Sequence, residues 1–509
     1  MKLILALLVC LVLGGCSVED PSDIEDSGWE EYQQQEEKPA EEEKKSYPEE
    51  FALAYHKDHT LDPITCGEGV QQDVASLLYE PLFRLDEKLE PVGVLCEGAQ
   101  WDESGLICTL YIRQGVLFSD GSELTASDVA ATLKRALESR RYAYRLRNIA
   151  DVAYSNRNKT VTITLLEKNT AFLSLLNLSI VKKGTENQMV PVGTGPYLYV
   201  TDSDGTYLIA NSNWWQQKAL PVDTISLVHA KDENTAVHLF SSNRVELLTL
   251  DPTNGNSAVS GGVDITERPT TLMHYIGFNT MSGVFADSAA RTAFSAGIPR
   301  DVLVTAFLSN HAAAAYFPIS PLSDLYPSEL DGTYDQEKTL AAIASAGYAT
   351  GEITELILLV NEEDSFRIDN ANYIAQKLSV HDWQITVRVL PWTEYLLALE
   401  QGDFDLYYGQ VRLSTDWDVR DLIATEGAMN YGRFTDMEMD QLLDEFVRAE
   451  DRERAAEYLY DYFHTTTPIA PICFRNYTIL THPQVIENMV SMPDDTFYLF
   501  DEWTIHLSE

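Results

Sequence analysis

The stretch "LICTLYIRQGVLFSDGSELTASDVAATLKRAL", Leu106 to Leu137, carries the signals that decide the fold class. Thr109, Tyr111 and Arg113 alternate with Leu110 and Ile112, the period of a half-buried strand. Asp120-Gly121 is a strong turn signal. Thr125-Ala126-Ser127-Asp128 then has the spacing of a capping box and predicts a helix through Leu137. Upstream, "LLYEPLFRLDEKLEPVGVL" sets the turn Asp86-Glu87-Lys88 between two apolar runs. Downstream, "TVTITLL", Thr160 to Leu166, alternates again.

Further along, "PVGTGPYLYV", Pro191 to Val200, has too many glycines and prolines for a helix and predicts a fixed turn into a strand from Tyr197. No Gly-Lys-Ser/Thr follows it, so it is not a phosphate cradle. "TLMHYIGFNT", Thr271 to Thr280, reads as an apolar strand. Helical segments near Ala289 to Ala296, Gln336 to Ala346, Asn370 to Leu378 and Thr393 to Glu400 alternate with the strands "ELILLV", "ITVRVL" and "FDLYYGQV". Helices near Met437 to Val447 and Arg452 to Thr465 precede the strand-like tail "PIAPICFRNYTIL". Alternating strands and helices imply an α/β fold, a sheet with helices packed on it.

The N-terminus is different material. Lys2 precedes the apolar run Leu3 to Leu13, too short to span a bilayer, which needs roughly 20 residues. It has the layout of a secretory signal, 1–15. Leu13-Gly14-Gly15-Cys16 looks like a bacterial lipobox, which makes Cys16 the expected lipid attachment site. The acidic, Gln- and Pro-rich segment 16–50 buries too little apolar surface to order itself and is expected to act as a tether. An anchored rather than spanning protein follows.

A formal net charge of −43 over 509 residues opposes nucleic-acid binding, which needs a basic footprint. Of six cysteines, Cys66, Cys96, Cys108 and Cys473 fall in the body. Cys96 and Cys108 sit on neighbouring predicted strands and are either a disulfide or two small buried hydrophobes. No Cys/His cluster and no cofactor motif occurs, so neither a metal nor a cofactor is expected.

Many short motifs in order resemble one family: the extracellular solute-binding proteins, family 5, of ABC importers for oligopeptides, dipeptides and nickel. They are Tyr79-Glu80 with Leu82, Leu110 with Arg113, Phe118 with Asp120-Gly121, Thr125-Ala126 with Asp128-Val129, Gly193-Thr194-Gly195-Pro196-Tyr197, Asn211 with Trp214-Trp215, Gly277-Phe278-Asn279, Arg291 with Ala293, Ala346-Gly347-Tyr348 and Phe404-Asp405-Leu406. Two departures stand out. Gly297-Ile298-Pro299-Arg300 replaces the usual run with an acid before the Arg, and "GQVRLSTDWDVRDL", Gly409 to Leu422, keeps its acids but lacks the usual Pro and Trp.

The resemblance implies a periplasmic-binding-protein-like two-lobed clamp of type II. Lobe I would comprise 51–71, 186–270 and 471–509, with an extra subdomain at 72–185, and lobe II 271–470. Solute, most readily a peptide, would be captured between the lobes of a monomer on the extracellular face of the bacterial cell membrane and passed to an ABC permease. A nickel complex, sugar or polyamine remains open as solute, and so does a sensor or adhesin that kept the fold without transport.

A buried zwitterion needs an acid for its ammonium and a cation for its carboxylate. By resemblance Asp416 matches the acid that takes a peptide's α-amino group. Asp418 and Arg412 are further candidates, against a helix cap and a structural ion pair. Trp417 and Tyr408 are candidates to wall the cleft, with core packing the other use of Tyr408. Glu68, in the loop Thr65-Cys66-Gly67-Glu68, and Tyr275 complete the set. No GxSxG, HExxH or Cys-His arrangement points to an enzyme.

Overall fold

The computed structural model describes residues 47–67, 69–253, 259, 261–328, 336–345, 348 and 350–508. The lipobox with Cys16, nearly all of the tether, Glu68 and Gly347 lie outside the described residues.

Strands Asp264–Phe278 and Ile469–Thr481 are the backbone of the molecule, at 15 and 13 residues, against a usual length of about 5–6. They run antiparallel as one ribbon. On one end of the ribbon, Leu247–Leu250 pairs with 478–481, and Phe51–Tyr55, Thr224–His229, Thr206–Ala210 and Tyr197–Thr201 extend the sheet outward. On the other end, Leu406–Arg412 pairs with 272–278, and Thr354–Asn361 and Trp383–Leu390 extend it the opposite way. The short strand Ala312–Ala314 adds to Ile469–Thr481. The ribbon's register breaks between Pro269 and Met273. Pro269 has no N–H to give to a ladder, and Thr270 Oγ1 bridges the break by donating to Arg475 O at 2.6 Å.

Composition explains the outer strands. "TELILLVN", Thr354–Asn361, has parallel neighbours on both sides and is buried along its second half. That is the near-continuous apolar run expected of a strand covered on both faces. Helices Ser288–Ala296 and Ser365–Leu378 cover one face, with Phe294, Ile374 and Leu378 in the core. Helices Met437–Arg448 and Arg452–Thr466 pack into the second core of that half through Phe446, Leu459 and Phe463.

A separate four-stranded antiparallel sheet, in the order Cys96–Trp101, Ile107–Ile112, Thr160–Leu165 and Ile149–Ser155, has its own core. Thr160–Leu165 alternates half-buried and buried positions as its TVTITL sequence requires. Helix Ala126–Leu137 starts where predicted: Thr125 N donates to Asp128 Oδ2 at 2.9 Å. Its stripe Ala126, Val129, Ala130, Leu133 and Ala136 is buried, and Lys134 and Arg135 sit favourably at the negative end of its dipole.

Several of the motifs are joints of this fold. A Cβ on Gly193 would meet Leu78 O at 2.2 Å, and one on Gly195 would meet Leu78 C at 2.5 Å, so the turn lies flat on the chain at Leu77 to Tyr79 only because both residues are glycine. Next door, buried Glu80 accepts from Trp214 Nε1 at 3.1 Å, Trp215 Nε1 at 2.7 Å and Gln216 Nε2 at 2.8 Å. Burial pushes its carboxyl up, and those donors partly offset the rise. Arg300 of the departing run is buried with no carboxylate ion pair among the described residues; it donates to Ala315 O, Pro471 O and Ser295 O and lies 4.3 Å over the Tyr316 ring.

The disulfide alternative is corrected. Cys96 and Cys108 are free, buried thiols. The strand register sets Cys96 opposite Ile112 and Cys108 opposite Trp101, at opposite ends of the paired stretch. Burial pushes the Cys108 thiol up to about 12, so both behave as small hydrophobes.

Candidate functional site

Loop 413–419 forms where strand Leu406–Arg412 leaves the sheet, opposite the segment that follows the four-stranded sheet. Asp416 is buried and held from both sides. Its Oδ2 accepts from Asn169 Nδ2 at 2.8 Å, and its Oδ1 accepts from Ser414 Oγ at 2.5 Å and Asp418 N at 3.3 Å. The Asp416 carbonyl accepts from Arg452 Nη2 at 2.6 Å. Thr415 Oγ1 donates to Ser174 O at 3.0 Å, and Thr170 N donates to Val447 O at 3.1 Å. Residues 169–174 and 414–418 thus close on each other across a line of hydrogen bonds.

An ionic border continues this seam. Arg420 forks onto Glu167, and Arg448 reaches Glu167 at 3.1 Å. Lys168 meets Glu450 at 2.6 Å, and Arg147 meets Asp421 at 2.8 Å, where the Tyr144 hydroxyl also donates. Asp418 is tied into it by the Arg420 guanidinium at 2.8 Å and by Arg420 N at 3.1 Å. Burial works to raise the Asp418 carboxyl, but Arg420 and Arg147 outweigh it and hold the group below the usual carboxylate range. Arg420 and Arg448 lower Glu167 in the same way against a smaller effect of burial.

The other sequence candidates fall in two places. Arg412 ends its strand with its side chain exposed, and is the foremost of the cations facing Asp494. Tyr275, Trp417 and Tyr408 are enclosed. Tyr275 lies across Gly409, where a Cβ would come 2.3 Å from its ring, and meets Tyr407 edge-on. Trp417, at φ 57°, meets Phe474 edge-on in the same apolar cluster. Tyr408 packs beside His274, whose Nδ1 is 3.1 Å from the tyrosine hydroxyl, in the core on the other face of the sheet. Its use is core packing. The structure therefore gathers Asp416, Trp417 and Asp418 in one loop with Arg412 at its root, and leaves Tyr408 behind the sheet.

Sequence reasoning missed the partners from elsewhere in the chain. Asn169 lies in a stretch with no motif, and Asp494 lies in an irregular segment, so no periodicity marks them. The one available signal was compositional: "RRYAYRLR", Arg140 to Arg147, is a cationic island in a strongly acidic chain.

The sequence profile of "Bacterial extracellular solute-binding proteins, family 5 Middle" matches residues 90–426. The glutathione-binding protein GsiB of Salmonella paratyphi A is 24% identical over 473 residues, covering 87% of this chain and 92% of the relative. The oligopeptide-binding protein AppA of Bacillus subtilis is 24% identical over 477 residues, covering 86% and 88%. Among solved structures, the unliganded open form of the periplasmic murein tripeptide-binding protein MppA matches with a TM-score of 0.75 at 18% identity, over 90% of this chain and 98% of its own. A nickel ABC transporter structure from Bacillus halodurans gives 0.74 at 20% identity, over 88% and 98%. The fold is the two-lobed, type II periplasmic-binding-protein arrangement. With a profile match over most of the folded body, this chain belongs to the bacterial extracellular solute-binding proteins, family 5.

Proposed function

We propose that this chain is the lipid-anchored capture component of an ABC importer, taking up a small peptide between two lobes and delivering it unchanged to a membrane permease. Lobe I is 51–71, 186–270 and 471–509, with 72–185 as its extra subdomain, and lobe II is 271–470. Cys16 carries the lipid, and 16–50 holds the body off the extracellular face of the membrane. The names of the relatives GsiB and AppA support a peptide as solute.

The observation that carries this reading is the grip on Asp416: Asn169 reaches it from one lobe and Ser414 from the other. A carboxylate bridging the two lobes is where a solute ammonium would exchange with the amide of Asn169, so that capture and closure share one group. Asp418, Trp417, Arg412 and Tyr275 are the further ligand candidates of the proposed site, together with Glu68, which lies outside the described residues. Titration calorimetry with short peptides tests it. Asp416→Asn should weaken binding of a free-amine peptide by about tenfold or more, the range expected for losing a charged hydrogen bond. The N-acetylated peptide should bind both proteins about equally. Unchanged affinity for the free-amine peptide in Asp416→Asn would remove Asp416 from this role.

A further inference from the structure

The hairpin of strands Phe83–Leu85 and Pro91–Gly93 turns on a residue that breaks the local rule. Asp86 closes the turn: its Oδ1 accepts from Lys88 N and Glu90 N, both at 2.9 Å, and its carbonyl accepts from Leu89 N at 2.9 Å. Leu89 sits there at φ 67°, the left-handed region that turns give to Gly or Asn. For a leucine this backbone is strained. Such strain persists only where the surrounding structure holds it, and it points to function. Glu87, Lys88 and Glu90 are exposed, yet Leu89 between them is 3% exposed.

The core that buries Leu89 is not the hairpin's own. Phe83, at the root, packs in the core of the four-stranded sheet. Leu89, at the tip, lies in the cluster of Phe317, Tyr326, Trp417 and Phe463. Among the described residues, every other buried member of that cluster comes from Met273 to Phe474. One short hairpin is thus rooted in one core and ends in another. Loop 413–419 rests on the same cluster: Leu413, Trp417 and Val419 are buried members, and Trp417 is left-handed as well, at φ 57°. Polar contacts around the tip run the same way. Lys88 Nζ meets Asp324 at 2.7 Å, and Glu90 faces Arg452, whose Nη2 donates to the Asp416 carbonyl at 2.6 Å. The Lys88 pair is exposed at both ends and contributes little, so the buried leucine carries the attachment.

We propose that Leu89 is a positioning residue for solute retention: seated in this cluster, it holds loop 413–419, and with it the Asp416 carboxylate, in place and slows the opening that releases solute. The proposal rests on the solute-binding reading and deepens it by naming a residue that sets the release rate through the loop rather than by touching the solute.

Amide hydrogen exchange of the full protein, without solute, reads the loop directly. Leu89→Gly removes the side chain but suits the left-handed backbone, so the hairpin still turns. Exchange at 413–419 should rise about tenfold or more in this variant, as for a buried leucine lost from a locally opening segment. Strands Cys96–Trp101 and Ile107–Ile112 should exchange as in the parent. Leu89→Met, which keeps the apolar bulk, should retain most of the protection. Asp324→Asn, which removes only the exposed ion pair, should change little. With a mixed tripeptide library as the probe, stopped-flow fluorescence should show release from Leu89→Gly several-fold faster at a little-changed association rate. Should Leu89→Gly not fold, Leu89→Ala carries the test. A lowered melting temperature with unchanged exchange in the loop, or exchange raised evenly along the chain, would make Leu89 an ordinary core residue. Either result overturns the proposal and leaves the solute-binding reading standing, as does faster loop exchange with an unchanged release rate. Binding of no tripeptide by the unaltered protein would remove the peptide reading and the retention role together, while exchange would still decide whether Leu89 holds the loop.

Discussion

Glu246 shows what a single buried group does to this protein. It is 3% exposed, and its Oε2 accepts from Ala52 N at 2.9 Å. Burial pushes its carboxyl up to about 7; the Ala52 hydrogen bond opposes the rise and Glu50 adds to it. A folded-state value above the unfolded one, about 4.3, means that this group's contribution is fully present below about pH 4 and is lost as pH rises to 7. Glu246→Gln keeps an acceptor for Ala52 and removes the titration. It should raise stability at pH 8 by on the order of 1–3 kcal/mol and change little at pH 4.5, which calorimetry at the two pH values checks. Other residues were legible to different degrees. Asp416 and Asp418 stood out because two acids follow an apolar strand, where chain leaves a sheet. Tyr408 did not declare its side, because a one-residue change of register decides which face of the sheet an aromatic meets. Asn169 and Asp416 could not be paired from sequence at all: packing brings them together across 247 residues of chain.

At the scale of elements, local rules carried most of the fold. The alternation at Thr160 to Leu165 and the Thr125–Asp128 cap worked because each signal lies within a few residues. The ends of the long strands were less legible. Asp264–Phe278 begins well before its apolar part, since its first residues are half-exposed and earn their strand geometry from pairing with 476–481. Likewise Pro471 sits inside Ile469–Thr481, where Arg300 takes its carbonyl. The glycine motifs were visible as turns or strand ends, but not as close approaches. Gly277→Ala tests that reading: its Cβ would stand 2.1 Å from the Tyr407 ring on the adjacent strand. Overpacking of this kind should cost about 1–3 kcal/mol and lower the melting temperature. An alanine variant as stable as the parent would show that the strands are not so close.

Over the whole molecule, the decisive feature is the seam between the segment 144–174 and the segment 414–450. Its members include two carboxylates, Glu167 and Asp418, held below their ordinary range by Arg420 with Arg448 and Arg147. Such depressed groups give their stabilisation above the ordinary carboxylate range, about pH 4, and lose it as pH falls through their folded values. Glu167→Gln should loosen the seam and speed solute release several-fold in stopped-flow fluorescence. The parent should show the same trend with rising salt and the variant a weaker one, because part-exposed ion pairs are screened. A release rate unaffected by either would mean that the seam does not gate the site.

The proposed function requires a small solute held between the lobes and released unaltered. Native mass spectrometry of the protein purified from its own host measures that directly. It should show a non-covalent adduct of small mass that, once released, is an intact compound, and a ladder of peptide masses if the solute is a peptide. A bare protein mass under every growth condition, or an adduct released in chemically converted form, would contradict it.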